Sequence, residues 1–123
     1  MPTVCHFEIA ADDIERAKKF YSELFGWQIE KFAGHKDYLI FDTTDLNGKR
    51  GITGAIEKKH DKHHTITCNI CVANIDEHIA RVKKLGGNVF VPKSAVQGLG
   101  YYAYCLDTEG NCFVLWETDH NAK

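Results

Sequence analysis

Apolar and polar residues alternate at the start of the chain, in the segment TVCHFEIA. An extended chain with this pattern places Cys5, Phe7 and Ile9 on one side. His6 and Glu8 then fall together on the other side, because successive side chains of a strand point to opposite faces. The period of two predicts a half-buried strand with two titratable groups on its polar face.

The spacing of apolar residues becomes helical in the segment IERAKKFYSELF. Apolar side chains recur there three and four positions apart, which predicts a helix near residues 13–25. Asp12 or Asp13 can cap its start, and Gly26 follows at a position where helices commonly end. Three strands are predicted after this helix, at residues 27–32, 38–42 and 51–57.

The second half of the chain repeats the order of one strand, one helix and three strands. A strand is predicted at residues 65–72 and a helix near residues 75–85, with Asn74 as its N-cap and Gly86 after it. Strands are then predicted at residues 88–91, 101–106 and 111–117. An offset of 61 residues aligns the two halves without a gap, which indicates an internal duplication.

The duplication predicts an α+β fold of two tandem βαβββ modules in a single domain that spans residues 1–123. The first module is expected at about residues 1–60 and the second at about residues 61–123. A helix covers only one face of a sheet, so we expect the opposite face to curve around a cleft. A cleft lined by two repeats is a natural place for a ligand.

Charge and hydropathy argue against two classes of partner. The formal net charge of -2 gives no broad electropositive surface, so we expect no nucleic acid partner. No segment approaches the roughly 20 apolar residues of a membrane-spanning helix, and the start of the chain lacks the pattern of a secretory signal. We therefore expect no membrane partner and a cytoplasmic location.

The cysteines agree with a cytoplasmic location. They are odd in number and lie inside apolar runs: Cys5, Cys68, Cys71, Cys105 and Cys112. This usage predicts reduced thiols. Cys68 and Cys71 form a CxxC pair, but the strand pattern of TITCNICV sends residues three apart to opposite faces, which argues against zinc or redox use.

Three segments resemble the vicinal oxygen chelate superfamily, which includes glyoxalases, bleomycin resistance proteins and dioxygenases. HFEIAADDIERAKKFYSELFGW resembles the opening strand and helix of such a domain. ANIDEHIARVKKLGGNV is similar to its second helix and double glycine, and GYYAYCLDTEGNCFVLWE is similar to its closing hairpin. The resemblance implies paired βαβββ modules in a cupped mixed sheet, usually a homodimer, with a divalent metal in the cup.

The metal-ligand positions that the resemblance implies are incompletely filled in this chain. His6 occupies the first histidine position, whereas the second falls on Thr67 and the carboxylate position of the closing strand falls on Val114. The remaining position lies close to Glu57. Catalytic metal sites generally have about three protein ligands. We therefore expect no cofactor and no metal, and only His6 and Glu57 as ligands if a divalent metal is bound.

The predicted face that carries His6 has both polar and apolar side chains, which suits a small organic ligand. Its expected ligand-binding residues are His6, Glu8, Thr67, Asn69, Tyr102, Tyr104, Val114 and Trp116. Two simpler interpretations stay open. These residues can be the solvated face of an antiparallel sheet, or a face that a partner subunit covers.

The segment KKHDKHH contains three histidines, His60, His63 and His64. Nothing in the sequence fixes their geometry, so we expect a solvated loop that binds metal only adventitiously. His35 and His78 have no partner that the sequence identifies.

Three functions remain open at this point. The first is a homodimeric small-molecule-binding protein of the glyoxalase and bleomycin-resistance type, with a cleft around His6 and Glu8 and without the full family metal site. The second is a metal-dependent isomerase, lyase or dioxygenase of that superfamily with an altered ligand set. The third is a protein-interaction module. The sequence leaves open whether any reaction is catalysed.

Overall fold

The computed structural model of the protein describes residues 1–123 and divides into two compact units. The first unit contains His6–Thr67, and the second contains Met1–Cys5 together with Cys68–Lys123. None of the helices combines the length and the apolar composition that a membrane crossing would require.

The first module has one helix and four strands. They are β1 (Thr3–Ala11), α1 (Ile14–Phe25), β2 (Glu30–Phe32), β3 (His35–Phe41) and β4 (Thr53–Lys58). The strands pair in the order β2-β3-β4-β1. Strands β1 and β4 are parallel, and the other neighbours are antiparallel.

Helix α1 begins and ends where its local sequence directs it. The Asp13 carboxylate accepts a hydrogen bond from the Arg16 N–H at 3.0 Å, so Asp13 is the N-cap. Gly26 ends the helix with φ of 73°, a left-handed conformation that glycine adopts without strain from a Cβ.

The core of the first unit lies between α1 and one face of its sheet. Its buried residues are Ile9, Ala11, Ile29, Leu39, Phe41 and Ile56. Trp27 packs against this core, and its ring stacks on that of Phe41 with centroids 4.5 Å apart. The strand predicted at residues 27–32 is wrong in its first half. Strand β2 begins only at Glu30, and Trp27 contacts the core from the segment that precedes it.

The second module repeats this arrangement. Its elements are β5 (Ile66–Cys71), α2 (Ile75–Lys84), β6 (Asn88–Val96), β7 (Gly100–Leu106) and β8 (Cys112–Thr118). The strands pair in the order β5-β8-β7-β6, with β5 and β8 parallel. The Asn74 side chain caps α2 by accepting the Glu77 N–H at 3.0 Å, as the sequence predicts.

In both modules the strand before the helix pairs in parallel with the last strand of the same module. The predicted α+β fold of two βαβββ modules is confirmed. Strand β6 is much longer than predicted, since it continues beyond residue 91 to Val96. The strand continues through Pro92, which has no backbone N–H to donate. An outermost strand such as β6 tolerates proline because its unpaired edge needs no N–H donor.

The expectation of five reduced cysteines is wrong for two of them. Cys5 and Cys71 form a disulfide in the second unit, with their Cα atoms 6.2 Å apart. Cys68 is an exposed free thiol, and Cys105 is a buried one. Burial raises the pKa of the Cys105 thiol to about 11, so this thiol stays protonated at neutral pH.

Candidate functional site

Polar side chains collect on the face of the first sheet opposite α1. Phe7 and Ile9 of β1 pack with the core, so His6 and Glu8 point the other way. The register brings polar positions of neighbouring strands beside them, because His6 pairs with Thr53 and Tyr38 pairs with Glu57. We call this the polar face of the first unit.

His6 is hydrogen-bonded through both ring nitrogens. Its Nδ1 lies 2.6 Å from the Thr53 hydroxyl oxygen, and its Nε2 lies 2.9 Å from the Tyr38 hydroxyl oxygen. Burial lowers the pKa of His6, and the negative charge of Glu57 only partly opposes this effect. His6 is therefore neutral at pH 7.

The direction of these hydrogen bonds follows from Glu8. The Tyr38 hydroxyl donates its single hydrogen to Glu8 Oε2 at 2.7 Å, so it can only accept from His6. His6 then carries its proton on Nε2, and its Nδ1 accepts from the Thr53 hydroxyl. The result is one directed chain from Thr53 through His6 and Tyr38 to the Glu8 carboxylate.

Glu8 is held at the buried end of this chain. Glu8 is only 3% exposed. The hydroxyl of Thr67, a residue that is 1% exposed, donates a hydrogen bond to Glu8 Oε1 at 3.3 Å. The structure thus brings together three of the predicted ligand-binding residues, namely His6, Glu8 and Thr67. Tyr38 and Thr53 were missed by the sequence reasoning, because their contacts depend on pairing between strands more than 25 residues apart.

A second polar cluster lies where β4 leads into the next loop. Glu57 Oε1 is 3.2 Å from His64 Nε2, and Glu57 Oε2 is 3.6 Å from His60 Nε2. The two imidazole rings are stacked, with centroids 5.1 Å apart. The pKa of His60 is raised, mainly by its hydrogen bond to Glu57 and further by the charges of Glu57 and Glu8.

The loop histidines do not form one uniformly solvated set. His64 is completely buried, so the expectation of a solvated loop is wrong for this residue. Its Nδ1 accepts the His60 backbone N–H at 3.1 Å, which fixes the ring. The His63 side chain remains 43% exposed, as expected of a loop residue.

The remaining predicted ligand-binding residues lie in the second unit. Asn69 pairs with Val114, which pairs with Tyr104, and the next row holds Tyr102 opposite Trp116. Asn69, Val114 and Tyr104 are buried, and the Asn69 Oδ1 has no hydrogen-bond partner. These residues belong to the second unit, whereas His6, Glu8 and Thr67 belong to the first.

A metal bound at the positions that the resemblance implies does not fit these residues. Both nitrogens of His6 are in hydrogen bonds, and the side chain of Val114 has no ligand atom. Glu57, His60 and His64 form a cluster of a different kind, whose ligand-type atoms all lie within 4.8 Å of one another. This Glu/His cluster can hold a metal ion.

An open depression of about 380 Å³ lies on the other side of the first sheet, beside α1. It is lined by the end of β1 and by residues such as Asp13, Arg16 and Phe20, and it contains neither His6 nor Glu8.

Comparison with known proteins agrees with this fold. Residues 3–43 match the family described as bleomycin resistance protein-like N-terminal. No curated protein matches the chain in sequence.

Solved structures with the same fold cover nearly the whole chain. A Streptomyces coelicolor methylmalonyl-CoA epimerase variant, in complex with 2-nitronate-propionyl-CoA, has a TM-score of 0.63 at 15% identity, over 98% of this chain and 97% of its own. A glyoxalase/bleomycin resistance protein/dioxygenase superfamily member from Vibrio splendidus 12B01 has a TM-score of 0.63 at 13% identity, over 90% and 95%. The chain therefore has the fold of these proteins, and its first third matches a bleomycin resistance protein-like family.

Proposed function

We propose that this protein binds a small organic molecule at the polar face of the first unit, without a metal at the family positions. The observation that carries the proposal is the directed chain of hydrogen bonds that ends on the buried Glu8 carboxylate. Binding sites for small molecules combine a few fixed polar groups with apolar walls, and this chain fixes His6, Tyr38 and Glu8 relative to one another.

The charges on this face favour a ligand that donates hydrogen bonds or carries a positive charge. Glu8 and Glu57 are buried carboxylates, whereas burial keeps the neighbouring His6 neutral through its lowered pKa. A carboxylate can only accept hydrogen bonds when ionised, so an amine or a hydroxyl group complements it. An anionic ligand would be repelled.

Asn69, Val114 and Tyr104, with Tyr102 and Trp116 in the next row, are proposed as a further ligand-contacting surface on the second unit. The buried and unpaired Asn69 Oδ1 supports this part of the proposal, since a ligand N–H or O–H would satisfy it. The apolar neighbours of Asn69 would supply the hydrophobic contact.

We further infer that the protein is a homodimer. Exposed apolar side chains on α1, including Phe20, Leu24 and Phe25, support association. The Cys5–Cys71 disulfide argues against the cytoplasmic location expected from the sequence, because such bonds seldom persist in a reducing compartment.

Two probes of equal size and opposite charge, benzylamine and benzoate, test the ligand preference. Titrations followed by two-dimensional NMR are done in the presence of a chelator, so that metal plays no part. We expect benzylamine to shift the signals of His6 and Tyr38, and Glu8→Gln to weaken its binding by roughly tenfold. The control Glu23→Gln, on the exposed surface of α1, should leave binding unchanged.

Equal shifts with benzoate would contradict the proposed charge preference. Absence of any shift at His6 and Tyr38 with both probes at millimolar concentration would contradict the location of the site.

A further inference from the structure

We propose that Glu57, His60 and His64 form a binding site for one divalent transition-metal ion of the zinc type. The site uses two histidines outside the positions that the vicinal oxygen chelate resemblance implies. It goes beyond the binding of an organic molecule at His6 and Glu8, and it stands or falls independently of that function.

The spacing of the three side chains suits a single ion. Zinc binds histidine nitrogen and carboxylate oxygen at about 2.0–2.2 Å, so two ligands of one ion lie up to about 4 Å apart. The distances from Glu57 to His64 and His60 are 3.2 Å and 3.6 Å. All the ligand-type atoms of the cluster lie within 4.8 Å of one another, so a movement of at most about 1 Å would bring them to one ion.

The fold positions two of these ligands firmly and leaves the third adjustable. Glu57 lies in β4, where its backbone pairs with Tyr38 on one side and Ala10 on the other. His64 is completely buried, whereas the His60 side chain is 40% exposed. His60 can therefore close onto an ion that enters from solvent.

The donor set indicates the class of metal. Two imidazoles and one carboxylate are the protein ligands of many catalytic zinc sites, with a fourth position left for water or substrate. Calcium and magnesium prefer sites made only of oxygen ligands, and copper(I) prefers sulfur. The cluster offers one oxygen-donor group and two nitrogen donors, so zinc, cobalt(II) and nickel(II) are the ions to test.

Metal binding would leave a structural signature at His60. The His60 backbone N–H donates to His64 Nδ1, so Nε2 is the His64 nitrogen that carries the proton and faces Glu57. An ion on Nε2 displaces that proton, and a neutral ring then carries its proton on Nδ1. The His60 backbone N–H must then turn away from His64 Nδ1, and the NMR signal of this N–H should shift.

The test uses the full chain without a histidine tag, stripped of metal by a chelator. Calorimetry with zinc should give one ion per chain, and cobalt(II) should give the visible absorption of a low-coordinate site. His60→Ala and Glu57→Gln should each weaken zinc binding by at least about tenfold. The matched control is His63→Ala, which removes a neighbouring loop histidine that lies outside the cluster.

Circular dichroism checks that each variant is folded, and His60→Ala changes a half-exposed side chain and should fold normally. Equal weakening by His60→Ala and His63→Ala would mean an adventitious surface ion and would overturn the proposal. Loss of zinc in His6→Gln but not in His60→Ala would place the ion at the family position and would also overturn it. The absence of zinc uptake at micromolar concentration would also overturn the proposal. None of these results bears on benzylamine binding, which is measured in chelator.

Discussion

At His6, burial and hydrogen bonding determine the protonation state of one side chain. A charged imidazole would need to donate from both nitrogens, yet Nδ1 accepts from Thr53 when the chain of bonds runs towards Glu8. Burial adds a second penalty on the charged form, and this lowers the pKa of His6. A neutral His6 is thus part of how the Glu8 carboxylate is held.

The lowered pKa predicts a specific dependence of stability on pH. Below the ordinary pKa of 6.5 the unfolded chain binds a proton at His6 that the folded protein does not. The contribution of His6 to stability is therefore present above pH 6.5 and is lost as the pH falls through the lower pKa of the folded state. We expect the free energy of unfolding, measured by urea denaturation, to fall less between pH 7 and pH 5 in His6→Gln than in the unsubstituted protein.

His60 contributes with the opposite sign, since its raised pKa gives stability below pH 6.5 that is lost as the pH rises. The exposed His35→Gln is the control for the His6 experiment. Superimposable pH profiles of His6→Gln and the unsubstituted protein would refute the assignment.

At the scale of elements, local chemistry predicts more than long-range contacts do. Asp13 and Asn74 were recognisable as helix caps because capping depends on residues three positions apart. His6 and Glu8 were recognisable because alternation is local too. Tyr38 and His64 were not, since the contact of Tyr38 with Glu8 spans 30 residues and the burial of His64 depends on a loop without a sequence pattern.

Gly54 in β4 shows how closely the strand and the core are matched. A Cβ at this position would lie 2.5 Å from Phe41 Cζ and 2.7 Å from Phe7 Cζ. We expect Gly54→Ala to lower the free energy of unfolding by roughly 1–3 kcal/mol, because overpacking forces these rings out of position. The double variant Gly54→Ala, Phe41→Leu should recover part of this loss relative to the two single variants added together. Additive effects in guanidinium unfolding would exclude the steric explanation.

The disulfide links β1 to β5 across 66 residues of sequence. Loop closure of that length predicts a stabilisation of about 4 kcal/mol from the reduced entropy of the unfolded chain. We expect unfolding in guanidinium to shift to lower denaturant when a reductant is present, and Cys5→Ser to show no such shift.

With five cysteines and one disulfide, the unfolded oxidised chain should present three titratable thiols. A count of five would mean that the bond does not form in solution.

At the scale of the whole molecule, the duplication predicts the fold well and the site poorly. Both modules have the same strand order because the apolar pattern repeats, and many residues contribute to that pattern. The polar residues do not repeat. The first unit has His6 and Glu8 on its polar face, whereas Val114 and Tyr104 accompany Asn69 in the second. A site depends on single residues, so duplication of the fold does not preserve it.

The exposed apolar surface of α1 predicts the association of whole chains. Helix α1 exposes Phe20, Leu24 and Phe25 by 55–58%, an apolar surface that a partner copy would remove from water. We expect light scattering at micromolar concentration to give a mass of twice 13.9 kDa. Leu24→Glu should shift the mass towards that of one chain if α1 forms the contact, because an unpaired charge in an interface is costly to desolvate. The neighbouring change Glu23→Gln leaves the apolar surface intact and should not alter the mass. A mass of 13.9 kDa for the unsubstituted protein at every concentration would remove the homodimer.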